Sequence, residues 1–112
     1  MEFSGIVTEG SQKAGALGYP TVNLPCPGLT LSGIYAGLVR IDRQEHPAVV
    51  YADQRRKLLE AHLLNFKENL YGETVGLRLL DKLRDDREFK DAKEQEEAIV
   101  ADVESAKAYF KH

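Results

Sequence analysis

The sequence predicts a mainly β domain, a barrel that carries one amphipathic helix at its C-terminal end. Strand-length apolar runs separated by Gly, Pro and polar turns follow one another from Phe3 to Asp81. From Asp91 onward the hydrophobic period lengthens to that of a helix. Segment 57–66 is largely apolar on both faces, as expected of a barrel strand packed inside and partly covered outside.

Phe3 to Thr8 is the first predicted strand, ended by Glu9-Gly10-Ser11. Residues 10 to 20 hold glycines and a proline without periodicity and read as a loop. Thr21 to Leu24 is a brief strand, because Pro25-Cys26-Pro27-Gly28 stops it. In Gly33 to Asp42, Ile34, Ala36 and Leu38 share one face, and Tyr35, Val39 and Ile41 share the other. Pro47 to Ala52 is a continuous apolar run of strand length. In Lys57 to Phe66 the period of two places Leu58, Glu60, His62, Leu64 and Phe66 on one side. Leu59, Ala61, Leu63 and Asn65 fall on the other. Tyr71-Gly72-Glu73 is a turn, and Thr74 to Asp81 is the last strand. Asp91 with Glu94 forms a capping box at the helix start, the Asp side chain accepting from an otherwise unpaired backbone N–H. Ile99, Val103, Ala106 and Phe110 then make one stripe on a helix of about five turns. The barrel is the surface on which that stripe is expected to lie.

Length and charge narrow the function. At 112 residues the chain is expected to be a single domain over 1–112. A net charge of −3 argues against a nucleic-acid partner, which would call for a basic face. Arg55-Arg56-Lys57 reads as a solvated turn. Cys26 is the single cysteine, so an internal disulfide is impossible; set between prolines and without a nearby His, it reads as structural and fits a reducing compartment. The first residues lack the pattern of a signal peptide, and no apolar stretch approaches a membrane span. A cytoplasmic monomer without a membrane partner is expected.

Three features could carry chemistry. In the loop Gly10–Gly18, glycines allow successive backbone N–H groups to converge on a phosphate, with Lys13 adding charge, although such spacing is also common in plain turns. The loop matches neither the P-loop nor the dinucleotide fingerprint. Thr21 and Asn23 point to one side of an extended segment. They offer two neutral oxygens to a hard cation such as Mg²⁺, or else satisfy local backbone groups. Glu60 is a carboxylate on an otherwise apolar strand face, costly to bury unpaired. It is either a general base or a group at the barrel mouth, solvated or paired with an arginine such as Arg55 or Arg84. His62 reads as a satisfied core histidine, and the spacing of the histidines makes no metal site.

Taken in order, these segments resemble the riboflavin kinases (flavokinases) over about Gly5 to Phe110. The family's glycine-rich element is similar to Gly15-Ala16-Leu17-Gly18-Tyr19-Pro20-Thr21-Val22-Asn23-Leu24. Its Gly-Val-Tyr-Ala-Gly strand looks like Gly33-Ile34-Tyr35-Ala36-Gly37, and its Glu-x-His strand looks like Glu60-Ala61-His62-Leu63-Leu64-Asn65-Phe66. Tyr71-Gly72-Glu73 matches its Tyr-Gly-Glu turn. Arg84, Asp86, Phe89, Ile99 and Asp102 are similar to its last motif.

The resemblance implies a six-stranded antiparallel Greek-key barrel with a C-terminal helix, ATP and Mg²⁺ as co-substrates, riboflavin as acceptor and FMN as product. By the same resemblance, Thr21 and Asn23 would hold the metal and Glu60 would be the catalytic base. Gly10, Lys13, Gly15, Gly18, Pro20 and Tyr71 would bind nucleotide, while Arg84 and Phe89 would border the flavin. The chain departs from the family at Ala16, where an Arg is usual, in a shortened segment 49–57, and at Gln95, where Leu is usual. Many bacterial relatives carry the module behind an adenylyltransferase domain; with no nucleotidyl-transfer motif here, kinase activity alone is expected. A non-catalytic flavin- or nucleotide-binding barrel, a carrier or sensor, is the alternative.

Overall fold

In the computed structural model, which describes residues 2–8, 21–65 and 70–111, the alternating segments become strands β1 (Glu2–Ile6), β2 (Thr21–Pro25), β3 (Gly33–Ile41), β4 (Gln44–Asp53), β5 (Leu58–Leu63) and β6 (Thr74–Arg84). They are followed by helix α1 (Ala92–Phe110). The strands hydrogen-bond in the order β1-β6-β3-β4-β5-β2, every pair antiparallel. β3, β4 and β5 form a meander and β6 returns beside β3, the spatial order of a Greek key. Beyond β1 the chain reaches the opposite edge, where the Thr8 N–H donates to the Asn23 carbonyl at 2.8 Å. That bridge brings the two free edges together into a nearly closed barrel.

Two apolar clusters follow from the pleat. Inside the barrel, Val22, Leu24, Val39, Val50, Leu59, Ala61, Leu63 and Leu77 are buried together, with Tyr35 and Ile41 packed against them. Outside, Ile34 and Val49 meet Ile99, Val103 and Ala106 of α1, joined by Tyr51, Leu64 and Leu83. Each large side chain fully buried in this way contributes roughly 1.5–3 kcal/mol. The helix therefore covers one outer wall of the barrel, over β3, β4 and the end of β6. The division of β3 into a Tyr35/Val39/Ile41 face and an Ile34/Ala36 face is as the alternation predicts.

Several boundaries differ from the sequence expectation. β1 spans Glu2–Ile6, because Val7 leaves the ladder to donate its N–H to the Glu73 carbonyl at 2.9 Å. β4 begins at Gln44 instead of Pro47. The β3–β4 turn is only Asp42-Arg43, both with positive φ (49° and 78°), so no glycine announced it. β6 runs on to Arg84, past Asp81, and its pairing with β3 shifts register near Tyr35, the mark of a bulge. At the helix start the Asp91 side chain accepts from the Glu94 N–H at 2.9 Å, as the capping pattern requires. Asp102 lies outside the predicted apolar stripe, yet it is buried.

Candidate active site

The β2–β5 register builds the site. Asn23 lies opposite Glu60 and Thr21 opposite His62. On the other side of β5, Tyr51 lies opposite Glu60 and Val49 opposite His62. Residues directly opposite in an antiparallel pair share a face. Because Leu59 and Ala61 occupy the barrel interior, the polar set Thr21, Asn23, Glu60, His62 and Tyr51 belongs to the outer face, and Tyr51 reaches the part of it that α1 covers. A cavity of about 340 Å³ opens there between barrel and helix. Glu60, His62, Tyr51 and Arg84 line it together with Phe89 and Ile99.

The candidate cation ligands suit a hard ion. Asn23 is buried, and the Thr21 Oγ1 is buried without a hydrogen-bond partner among the described residues. An orphaned hydroxyl oxygen costs about 1–3 kcal/mol and calls for an explanation. Neutral oxygens beside a carboxylate fit Mg²⁺, which takes its remaining ligands from water and substrate phosphates. Among the described residues no group of three or more His, Cys, Asp and Glu could hold an ion.

Glu60 is mostly buried, its side chain 18% exposed, with Oε1 at 3.4 Å from Nε2 of His62. His62 is only 2% exposed, and its ring stacks at 4.8 Å and 47° on that of Tyr51. The expectation of a satisfied core histidine is corrected, because Nδ1 is buried without a partner among the described residues.

Arg84 and Phe89, which the resemblance places at the border of a flavin, line the same cavity as Glu60. Arg84 is already engaged. Its Nε and Nη2 donate to the two oxygens of Asp102, each at 2.7 Å, and the Tyr51 hydroxyl donates to Asp102 Oδ2 at 2.9 Å. The hydrogen bonds to Asp102 hold Arg84 more firmly protonated than usual. Burial first, and the Asp102 carboxylate next, push the Tyr51 hydroxyl well above the ordinary phenol range. Tyr51 was missed as a site residue because it reads as one member of an apolar strand. Arg56, on the predicted solvated turn, pairs with Asp53 at 2.9 Å and lines the cavity.

Tyr71 does not line this cavity and is 62% exposed. Its turn is tied to the end of β1 by the Gly72 N–H donating to the Val7 carbonyl at 2.9 Å, one residue before the Thr8–Asn23 bridge. Gly10, Lys13, Gly15, Gly18 and Pro20 lie outside the described residues, as does Phe66.

Comparison with known proteins agrees with the geometry. The family described as Flavokinase: Riboflavin kinase matches residues 1–110. The bifunctional riboflavin kinase/FMN adenylyltransferase of Haemophilus influenzae is 31% identical over 115 residues, covering 95% of this chain and 37% of that protein. The riboflavin kinase of Homo sapiens is 31% identical over 105 residues, covering 81% of this chain and 68% of that protein. A crystal structure described as a macrolide-efflux protein from Streptococcus pneumoniae superposes with a TM-score of 0.75 at 27% identity, over 95% of this chain and 36% of that one. This chain thus spans little more than a third of the length of the bifunctional relatives it matches.

Proposed function

This chain belongs to the riboflavin kinase family, and from that premise we propose that it transfers the γ-phosphoryl group of ATP to the ribityl 5′-hydroxyl of riboflavin, giving FMN and ADP. The observation that carries the proposal is the placement of Glu60, which lines the cavity, directly opposite Asn23, with Thr21 two positions along β2 on the same face. An acid and two neutral oxygen ligands are the parts that phosphoryl transfer to an alcohol needs in one place.

Glu60 accepts the proton of the ribityl hydroxyl as its oxygen attacks the γ-phosphorus. The new O–P bond forms, the bond to the bridging oxygen of ADP breaks, and ADP leaves with that electron pair. Thr21 and Asn23 would hold Mg²⁺, which when bound neutralises phosphate charge. The cavity between barrel and α1, of about 340 Å³, receives the flavin ring system; Phe89 and Ile99 give it apolar walls and Arg84 a cationic border. The glycine-rich segment with Lys13 and Pro20, together with Tyr71, serves the nucleotide. Most of the rate enhancement comes from positioning and charge neutralisation, with the base orienting the nucleophile. A single cysteine, Cys26, fits action as a monomer in the reducing cytoplasm.

The test is direct. Purified protein with riboflavin, ATP and Mg²⁺ yields FMN, followed by chromatographic separation of the flavins. Glu60→Gln keeps ligand binding and loses about 10²–10⁴-fold in turnover. Near-normal turnover in that variant removes Glu60 as base. Flavin binding with no FMN formed by the unaltered chain returns the assignment to a carrier or sensor.

A further inference from the structure

We propose that His62 is a positioning residue for this phosphoryl transfer, holding the Glu60 carboxylate in place through a hydrogen bond from Nε2; the inference rests on the kinase assignment above. A histidine 2% exposed, two residues from the acid and on the same face of β5, is an expensive choice for a packing position. Leucine or valine fills such positions elsewhere on the covered wall, at Val49 and Leu64.

The two ring nitrogens are not equivalent. Nε2 faces Glu60 Oε1 at 3.4 Å, while Nδ1 is buried with no partner among the described residues. With the hydrogen on Nδ1, a donor would be orphaned and a lone pair on Nε2 would confront a carboxylate oxygen. With the hydrogen on Nε2, the ring donates to Glu60 and leaves only an acceptor unmatched, the cheaper deficit. The electrostatics therefore assign the hydrogen to Nε2. A separation of 3.4 Å is long for such a bond, as catalytic contacts often are before substrate tightens them.

The ring is held from behind. Tyr51 stacks on it at 4.8 Å, and the Tyr51 hydroxyl is fixed by Asp102, itself gripped by Arg84. Thr21 and Val49 flank His62 across the two neighbouring strands. The carboxylate of Glu60 thus meets a fixed donor, and displacement of a reacting group by about 1 Å is worth on the order of 10²-fold in rate.

Two substitutions separate this role from packing. In His62→Gln the amide nitrogen falls where Nε2 was and still reaches Glu60; in His62→Asn it falls near Nδ1 and does not. We expect kcat for His62→Asn to be lower than for His62→Gln by about tenfold or more, with the KM values for riboflavin and ATP changed less than about threefold in both. Combined with Glu60→Gln, the two substitutions become equivalent, because no base is left to position. His62→Phe keeps the stacking on Tyr51 and removes the unmatched nitrogen; it serves where His62→Asn melts below the assay temperature, and it shows the same loss of kcat. Equal kcat for the Gln and Asn variants, a gap that persists alongside Glu60→Gln, or full turnover in His62→Phe overturns the proposal. An unaltered protein that makes no FMN overturns the kinase assignment, and this inference with it. An active protein indifferent to position 62 overturns this inference alone.

Discussion

Arg84 grips Asp102 with two hydrogen bonds of 2.7 Å, one from Nε and one from Nη2, across the gap between the end of β6 and α1. Asp102 also accepts from Tyr51 of β4, so one carboxylate ties the helix to two strands. It is 5% exposed against 26% for Arg84, placing the pair in the regime where losing one partner strands the other. Asp102→Ala is expected to cost about 2–4 kcal/mol and to lower Tm by roughly 10 °C or more. Because Arg84 lines the cavity, riboflavin affinity should fall as well. Thermal melts with and without riboflavin measure both effects, and a Tm unchanged within about 3 °C would show that apolar contacts alone seat the helix.

Tyr51 gives the pair a signature in alkali. Burial, then Asp102, raise its hydroxyl above the ordinary value of 10.0. Below that value folded and unfolded chains both hold the proton, and the interaction contributes in full. Above it the unfolded chain releases the proton while the folded chain keeps it, so stability falls as pH rises, by up to about 1.4 kcal/mol per pH unit from this group. Tyr51→Phe should lose about 1 kcal/mol at neutral pH and show a shallower decline of Tm between roughly pH 10 and pH 11.5. Tyr109, raised through its hydrogen bond to Asp81, is unchanged between the two proteins and cancels. Parallel Tm curves for the two would contradict the placement of the Tyr51 proton.

How much of this was legible depended on whether the signal was local. The alternation of Leu59, Ala61 and Leu63 against Glu60 and His62 is a property of consecutive residues, and it set the acid apart from the side chains that fill the barrel, though it did not show which face is the interior. Asp91 with Glu94 announced the helix start for the same reason. The Asp102–Tyr51 contact joins residues 51 apart in sequence, and a lone Asp on a charged helix reads as solvent-facing. Nor could periodicity show over which strands α1 lies. The pairing of Asn23 with Glu60 needed β2 and β5 to be neighbours, which strand order alone decides.

The β3–β4 hairpin holds recoverable stability. Asp42 and Arg43 both adopt left-handed backbone angles, with φ of 49° and 78°. A non-glycine residue pays roughly 1–2 kcal/mol for that conformation, less for Asp, whose side chain tolerates it. Arg43→Gly, giving the Asp-Gly pair favoured in two-residue turns, is expected to raise stability by about 0.5–1 kcal/mol and Tm by a few degrees. The turn does not line the cavity, so FMN formation should not change. A lower Tm would mean that the Arg43 side chain contributes more than its backbone costs.

In the proposed role, Thr21 sets stability against function within one residue. Its Oγ1 is buried without a partner among the described residues, a deficit the fold carries with nothing in return unless a ligand arrives. Thr21→Val keeps the shape and removes the unmatched oxygen. In the absence of nucleotide and metal it should therefore raise Tm by a few degrees, the reverse of the usual effect of a buried substitution. With ATP and riboflavin present, the Mg²⁺ concentration for half-maximal FMN formation should rise by roughly tenfold, the change that about 1.4 kcal/mol of lost coordination would bring. Thr21→Ser, which restores an oxygen, should recover most of the metal response. A purely structural hydroxyl would give the opposite pair of results: a lower Tm in the Val variant and an unaltered Mg²⁺ requirement. Opposite signs for stability and metal dependence are what a cation ligand held ready inside a barrel wall must produce, because the cost of leaving it unmatched is repaid only when the ion binds.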